Sequence, residues 1–195
     1  EVERAPDGWN VVWHPAEKKG YAGTATLSRA PIELLGTGMD GEDDQGRVVQ
    51  TRVQGVRCIN VYLPSGSRSE EAQANKEVFM DRFFEWTQAF AQSDEPVILG
   101  GDLNIAHTEN DIHNPVSNKK TSGFLPHERE WFTRWLATGW TDLFRAQVGL
   151  QKGPYSWWSN RGQARALDRG WRIDYLVGNA AAAARCTGAS IHKPG

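Results

Sequence analysis

The short stretch from Pro96 to Asn104 carries the residues best suited to chemistry. Branched apolar residues from Val97 to Leu99 follow the proline and precede a glycine pair, which is typical of a short buried strand. Asp102 and Asn104 come next at alternate positions, which the two-residue period of a strand would direct to one side. Polar groups at the end of a buried strand need hydrogen bonds or a wet cleft. The stretch therefore predicts either an active site or an Asx-type turn into the following loop.

Two other predicted strands carry polar side chains that could meet this stretch. Tyr62 ends one strand before a Pro-Ser-Gly turn, and Asp174 lies between Ile173 and Tyr175 in another. If Asp174 shares the face of Asp102, two carboxylates, an amide and a phenol converge. Such a set suits phosphodiester hydrolysis, because oxygen ligands hold a hard divalent cation, a carboxylate activates water, and Tyr or Asn donates to the developing charge. Taken alone, Tyr62 is better explained as a buried strand tyrosine with a satisfied hydroxyl, and Asp174 as a salt-bridge partner of an arginine.

The elements around these residues are a mixture of strands and helices. A helical spacing of aromatic residues predicts an amphipathic helix over residues 70–92, and a second helix should begin near Pro126. Residues 36–46 and 105–125 are predicted as polar loops. A helix that leads into a buried strand indicates an α/β layer architecture. Alternation and turn residues predict a hairpin over residues 9–29 and strands over residues 47–53, 56–63, 155–159 and 171–177.

The composition is that of an ordinary globular protein. A length of 195 residues fits one domain, and 39% hydrophobic with 24% charged residues excludes a disordered or fibrous chain. No apolar run reaches membrane-spanning length, and we expect no signal peptide. Cys58 and Cys186 are interpreted as reduced thiols, with a single disulfide as the alternative. These features predict a cytoplasmic protein with no membrane association.

The charge distribution indicates a local basic surface. The net charge of -2 gives no overall electrostatic case for a nucleic-acid partner. Residues 152–172, however, hold five basic residues against one aspartate, together with Trp157, Trp158 and Trp171. Aromatic and basic residues in one segment suit stacking on bases or sugars, although tryptophans more often fill a core. The histidines do not have zinc-binding spacing with any cysteine.

Seven motifs follow one another along the chain between Trp9 and Val177: KKGYAGTATLSR, GRVVQT, INVYLPSG, GGDLNIAH, NKKTSGFLPHEREWF, YSWWSNR and GWRIDYLV. Together they resemble the exonuclease III family of abasic-site endonucleases within the endonuclease/exonuclease/phosphatase superfamily. GDLN alone is shared by many phosphodiesterases. Its combination with KKGYAGTA, GFLPHERE and GWRIDY is specific to the abasic-endonuclease branch. The resemblance implies a DNase I-like, four-layer α/β/β/α sandwich, in which two packed mixed β-sheets are flanked by helices.

The resemblance also implies a role for each matching residue. Asp102 is similar to the catalytic aspartate that activates or positions water, and Asn104 to its partner on the phosphate or water; both are implied ligands of Mg²⁺ or Mn²⁺. Tyr62 matches a phosphate-contacting tyrosine, and Asp174 matches the aspartate that orients the family's catalytic histidine. The implied substrate-binding residues are Gly20, Tyr21, Asn114, Asn118, Lys119 and Lys120 on the DNA, and Trp157, Trp158, Trp171 and Ile173 around a flipped abasic sugar.

The activity implied by the resemblance is DNA repair. A family member would hydrolyse the phosphodiester 5′ to an abasic site in duplex DNA and trim 3′ ends by 3′→5′ exonuclease action. The expected partner is double-stranded DNA with abasic sites or 3′ ends, bound by a monomer that acts on the bacterial nucleoid. Two alternatives stay open: a phosphodiesterase of the same superfamily that acts on phospholipid or inositol phosphate, and a catalytically inactive DNA-binding fragment.

Some parts of the family pattern are absent from this sequence. The family begins with strands that end in an asparagine and a metal-binding glutamate, and it closes with a Ser-Asp-His segment. None of these occurs here, and His192 has no such context, so it receives no catalytic role. We therefore hypothesise that residues 1–195 form a single but incomplete endonuclease/exonuclease/phosphatase domain of a longer gene product. The missing strands would leave exposed sheet edges.

Overall fold

Strands and short helices alternate along the described part of the chain, which is residues 5–41 and 43–193 of a computed structural model. The strands are β1 (Asn10–Pro15), β2 (Gly23–Ser28), β3 (Ile32–Thr37), β4 (Val48–Val53), β5 (Val56–Tyr62), β6 (Val97–Asp102), β7 (Thr141–Asp142), β8 (Trp157–Trp158), β9 (Gly170–Trp171) and β10 (Asp174–Gly178). The helices are α1 (Glu70–Ala91), α2 (Pro126–Leu136), α3 (Leu143–Val148) and α4 (Ala180–Ala183), with a 3₁₀ turn at Glu109–Asp111.

A mixed six-stranded sheet is the framework of the molecule. Its strand order is β3-β4-β5-β6-β10-β7, and only the β5–β6 pair is parallel among the described strands. A parallel pair requires a crossover, which α1 supplies. The hairpin β1–β2 packs on β4 and β5, where Asn60 Nδ2 donates to the Ala25 carbonyl at 2.6 Å. The predicted α/β fold class, with mixed β-sheets and flanking helices, is confirmed.

The two long helices form where the sequence predicts them. Ser69 caps α1 by accepting a hydrogen bond from the Ala72 amide at 3.1 Å, and α2 begins at Pro126. Their aromatic faces meet over the sheet, since the rings of Phe83 and Trp135 lie 5.6 Å apart. Both side chains are fully buried, so truncation of either to alanine should cost about 3–5 kcal/mol. This core fixes the carboxyl ends of β5 and β6 in space.

Two parts of the sheet differ from the prediction. Strand β3 was not predicted, because it is an edge strand with exposed residues and a register shift between Leu34 and Gly36, so it lacks clean alternation. The strand predicted over residues 171–177 is divided into β9 and β10. Arg172 and Ile173 leave the ladder between them, and the arginine enters buried ion pairs.

Two global expectations bear on the setting of the protein. Cys58 and Cys186 are both free, which agrees with reduced thiols. Within the described ranges, no helix combines the length and apolar character that a membrane span requires.

Candidate active site

Three predicted catalytic side chains form a row across adjacent strands. Tyr62 on β5 and Asp174 on β10 are both direct register partners of Asp102 on β6. Residues directly opposite in neighbouring strands project to the same face of the sheet. The structure thus brings together the two carboxylates and the phenol that the sequence placed on separate strands.

Asn104 joins this row through an Asx turn rather than through strand alternation. Strand β6 ends at Asp102, and Asn104 has a left-handed backbone with φ of 49°. Its N–H donates to Asp102 Oδ1 at 2.8 Å, and its Nδ2 donates to the Leu63 carbonyl at 2.8 Å and to Asp102 Oδ2 at 3.3 Å. Because those neighbours are acceptors, the amide nitrogen must face them. Asn104 Oδ1 accepts no hydrogen bond from the described residues and is available to water, phosphate or a cation.

The environment of Asp102 favours a carboxyl group that titrates near neutral pH. Burial raises the pKa of Asp102 to about 7, and the negative charge of Asp174 adds to the increase. The Asn104 N–H and the charge of Lys76 act in the opposite direction. A pKa near the working pH suits a group that exchanges a proton with water.

Asp174 occupies a more open position than Asp102. Its backbone N–H donates to Ser156 Oγ at 3.1 Å, while its side chain is exposed and forms no ion pair with the described residues. The alternative that Asp174 is a structural salt-bridge residue is therefore not observed. The two carboxylates lie on directly opposed residues of neighbouring strands, an arrangement that concentrates negative charge at this end of the sheet.

The donors at this end of the sheet fit a hard divalent cation. They are carboxylate and amide oxygens, and a cation would offset both the burial and the smaller repulsion from Asp174 that raise the pKa of Asp102. The described residues contain no group of three or more His, Cys, Asp or Glu in ligating arrangement. Mg²⁺ nevertheless fits, since it commonly takes one or two carboxylates and completes its shell with water and phosphate oxygens. Asp102 and Asn104 are the residues that would hold it.

The histidines have structural partners instead. The His107 ring stacks on Phe132 with 4.6 Å between centroids, and its Nε2 lies 2.8 Å from Thr133 Oγ1. His127 pairs with Glu77 at 2.8 Å. Both rings are thus engaged with side chains of the helical layer.

Tyr62 is oriented by an arginine that the sequence analysis did not select. The Arg47 guanidinium lies 5.0 Å from the centre of the Tyr62 ring and 5.8 Å from that of Tyr21, and its Nη1 donates to the Tyr62 carbonyl at 3.0 Å. Gly20, Tyr21, Arg47 and Tyr62 line an open groove of about 650 Å³. Asp40, Asp43 and Asp44 also line this groove, and Asp43 Oδ2 accepts from the Arg47 amide at 2.7 Å. Two predicted DNA-contacting positions thus adjoin the predicted phosphate-contacting tyrosine.

An aromatic wall is built by the ribbon β8–β9 and the segment before α2. Trp157 and Trp171 meet edge to face with 6.5 Å between centroids, and Phe124 meets Trp171 at 6.4 Å. Ile173 is buried in the same cluster, whereas Trp157 stays 45% exposed. The sequence analysis did not select Phe124, although it lies in the GFLPHERE motif.

Trp158 lies apart from this wall. Its Nε1 donates to Asp168 Oδ1 at 3.1 Å, and the cations of Arg165 and Lys193 each lie 5.3 Å from its ring centre. Trp157 and Trp158 both line an open cavity of about 560 Å³. The structure therefore brings Trp157, Trp171 and Ile173 together as one wall and places Trp158 among charged partners.

The predicted DNA-contacting loop is attached to the same wall. Ile112 forms an isolated antiparallel β-bridge with Trp171, so the loop begins beside the aromatic wall. Asn118 Nδ2 donates to the Asn114 carbonyl at 2.8 Å, so the Asn118 side chain shapes its own loop. Asn114, Lys119 and Lys120 are exposed and able to meet a phosphate backbone.

A buried ionic network connects the start of the DNA-contacting loop with the segment between β9 and β10. Asp111 Oδ1 accepts from Arg172 Nε at 2.7 Å and from Arg145 Nη2 at 2.5 Å, and Arg172 Nη2 donates to Asp142 at 2.7 Å. Burial alone would raise the pKa of Asp111, but the hydrogen bonds and charges of Arg172 and Arg145 lower it to about 2. The basic surface predicted over residues 152–172 does not include Arg172, which is buried because it pairs with these carboxylates.

Comparisons of sequence place the chain beside nucleases. A statistical model of the Endonuclease/Exonuclease/phosphatase family matches residues 2–195. An exodeoxyribonuclease of Bacillus subtilis (strain 168) is 40% identical over 185 residues, which are 91% of this chain and 71% of that protein. The DNA repair nuclease APEX1 of Danio rerio is 34% identical over 180 residues, 91% of this chain and 58% of that protein. A DNA-(apurinic or apyrimidinic site) endonuclease of Dictyostelium discoideum is 33% identical, and the chain spans 49% of it.

Several solved structures of nucleases share the fold of this chain. An AP endonuclease from Archaeoglobus fulgidus superposes with a TM-score of 0.79 over 91% of this chain and 69% of that one, and at 24% identity it supports the fold alone. A 3′-5′ exonuclease from Neisseria meningitidis gives a TM-score of 0.76 at 29% identity, with 91% and 69% of the two chains covered. A Neisseria 3′ phosphatase solved with a product DNA hairpin gives 0.76 at 28% identity over the same shares.

Proposed function

Because the chain belongs to the endonuclease/exonuclease/phosphatase family, we propose that its protein is a DNA repair nuclease that cleaves the phosphodiester 5′ to abasic sites and trims 3′ ends. The relatives named exodeoxyribonuclease and DNA-(apurinic or apyrimidinic site) endonuclease support a hydrolytic nuclease that acts on DNA. The observation that carries the proposal is the row of Tyr62, Asp102 and Asp174 across three adjacent strands.

The proposed chemistry assigns one task to each side chain of the row. Asp102 accepts a proton from the attacking water. Asn104 Oδ1 orients that water or the phosphate, and the Tyr62 hydroxyl donates to a phosphate oxygen. A divalent cation held by Asp102 and Asn104 would polarise the phosphoryl group. Asp174 keeps the role that the family resemblance implies, orientation of a catalytic histidine.

Selectivity for abasic sites comes from the aromatic wall. Trp157, Trp171 and Ile173 offer apolar surface to an extruded deoxyribose and few hydrogen-bond partners for a base edge. A sugar without a base fits such a surface, whereas a flipped nucleotide leaves its polar edge unpaired. Asn114, Lys119 and Lys120 hold the flanking backbone. We further propose that the protein works as a monomer in the cytoplasm on chromosomal DNA.

The test uses the full-length protein that contains this chain. A 5′-labelled duplex with one tetrahydrofuran abasic analogue is incubated with Mg²⁺, with Mn²⁺ or with EDTA, beside an undamaged duplex and the Asp102→Asn variant. We expect a metal-dependent nick immediately 5′ to the analogue, and none with the variant. Binding without a nick would instead support a DNA-binding module. Hydrolysis of an inositol phosphate with neither binding nor nicking would support a different phosphodiesterase.

A further inference from the structure

A fully buried ion pair lies directly behind the catalytic turn. Lys76 on α1 and Glu128 on α2 are both 0% exposed, and Lys76 Nζ lies 2.5 Å from Glu128 Oε1. Lysine and glutamate are almost never buried completely, and an interior ion pair is often no more stabilising than an apolar pair of the same volume. Stability alone therefore does not explain why this pair occupies the core.

The lysine reaches the catalytic turn itself. Lys76 Nζ donates to the backbone carbonyl of Asn104 at 2.9 Å. Asn104 has a left-handed backbone, which costs free energy for a residue other than glycine and persists only when its surroundings fix it. The Asn104 N–H donates to Asp102, and its Nδ2 donates to the Leu63 carbonyl. Lys76 completes this set by donating to the Asn104 carbonyl. Together these contacts direct Asn104 Oδ1 toward the site.

The glutamate reaches the DNA-facing loop. Glu128 Oε2 accepts from the amides of Gly123 and Leu125 at 2.7 and 3.0 Å. The Gly123 carbonyl in turn accepts from the Ala106 amide at 2.8 Å, two residues after Asn104. Gly123 is also packed so closely that a Cβ there would lie 2.9 Å from the Asn104 oxygen. One ion pair thus touches both the catalytic turn and the end of the loop that carries the predicted DNA contacts.

We propose that Lys76 and Glu128 are positioning residues that lock the catalytic turn at Asn104 to the DNA-facing loop. The inference rests on the proposed nuclease function. Lys76 acts through the Asn104 carbonyl, so its loss should lower the rate of the chemical step. Glu128 acts through the amides of Gly123 and Leu125, so retention of an acceptor at this position should keep DNA binding intact.

The decisive variant is the double substitution Lys76→Met/Glu128→Gln in the full-length protein. It removes both charges together and leaves no unpaired buried ion, and the glutamine still accepts from the loop amides. We expect kcat for abasic-duplex cleavage to fall about tenfold or more, while KM changes less than about threefold. The conservative variant Lys76→Arg keeps a charged donor, so its kcat should lie closer to that of the wild type than to that of the double variant.

The control is an ion pair near the start of β6, the opposite end of that strand from Asp102 and Asn104. Arg57 pairs with Glu95 at 2.9 Å beside the start of β6, far from Asn104 along the strand. Arg57→Met removes one of two arginines that pair with Glu95, since Arg52 Nη2 also donates to it at 2.8 Å, and should leave kcat within about twofold of the wild type, because Arg57 reaches no part of the site. A loss of kcat as large as that of the double variant would show a general effect of destabilisation and overturn the inference.

A second measurement separates this inference from the proposed function. If the wild type nicks abasic DNA and the double variant keeps the same kcat, the inference is wrong and the nuclease function stands. If the wild type cleaves no abasic DNA, the nuclease function is wrong, and amide hydrogen exchange at Asn104 and Ala106 decides the inference. Exchange at both amides should rise at least about tenfold in the double variant and not in Arg57→Met. Unchanged exchange would refute the proposed positioning role of Lys76 and Glu128.

Discussion

At the residue scale, Asp102 shows how function works against stability. A carboxylate is placed where burial and the nearby Asp174 both disfavour its charged form, and its pKa rises to about 7. A residue selected only for stability would be neutral or paired at this position. The same features that make Asp102 an effective proton acceptor therefore make the folded state less stable at neutral and alkaline pH.

This conflict predicts opposite effects of Asp102→Asn on activity and stability. Cleavage should fall about 10³-fold or more, because the proton acceptor and metal ligand are lost. The folded state binds the Asp102 proton below about pH 7, whereas an ordinary aspartate binds it only below about pH 4. The contribution of Asp102 to stability therefore falls as pH rises between these values. Urea unfolding in EDTA measures both proteins, and the free energy of unfolding of the variant should rise relative to that of the wild type from pH 5 to pH 8. A difference that stays constant with pH would contradict the raised pKa of Asp102.

A second prediction concerns the exposed indole of the aromatic wall. Trp157 is 45% exposed, so Trp157→Ala should change the free energy of unfolding by less than about 1 kcal/mol. The preference for abasic over undamaged duplex should nevertheless fall about tenfold, because stacking surface for the extruded sugar is lost. Trp13, which is 43% exposed on β1, provides the matched control, and Trp13→Ala should leave the preference unchanged. Cleavage of the two duplexes in competition measures the ratio.

At the element scale, the sequence predicts those features that local periodicity determines. Helices α1 and α2, strands β4 to β6 and the first hairpin follow from spacing and turn residues. Polar strand ends identify Tyr62 and Asp102, and a carboxylate between two apolar residues identifies Asp174. What spacing cannot reveal is which charged residues are buried. Lys76 and Glu128 are 52 residues apart in the chain, and their pairing exists only after α1 and α2 pack. The division of β9 from β10 likewise depends on tertiary ion pairs.

The ion pairs between the 3₁₀ turn and Arg172 predict a specific response to acid. The pKa of Asp111 is about 2 in the folded state, below the ordinary value near 4, so its stabilising contribution is present above about pH 4 and is lost toward pH 2. The loss should be on the order of 2 kcal/mol. In Asp111→Asn this pH dependence should be absent, so the stability difference from the wild type shrinks between pH 4.5 and pH 2. Urea unfolding across this range measures it, and Glu33→Gln in the exposed pair with Arg52 serves as the control.

At the scale of the whole molecule, the arrangement of charge matters more than its sum. The chain carries a net charge of -2, so binding to DNA must depend on a local basic surface. The structure moves Arg172 from that surface into the core, while Lys119 and Lys120 stay exposed on the loop beside the aromatic wall. The resemblance to a family located these lysines, and their exposure makes a phosphate contact physically available.

The salt dependence of binding tests this distribution of charge. Each phosphate contact contributes about 0.9 to the slope of log affinity against log salt concentration, so Lys119→Gln/Lys120→Gln should reduce the slope by nearly 2. Binding to an abasic duplex is measured from about 50 to 200 mM salt in an Asp102→Asn background, in which the DNA stays intact. Arg134→Gln/Arg185→Gln removes the same charge from exposed positions with no predicted DNA contact. An equal reduction in both doubles would mean that net charge controls binding and that the loop lysines do not touch phosphate.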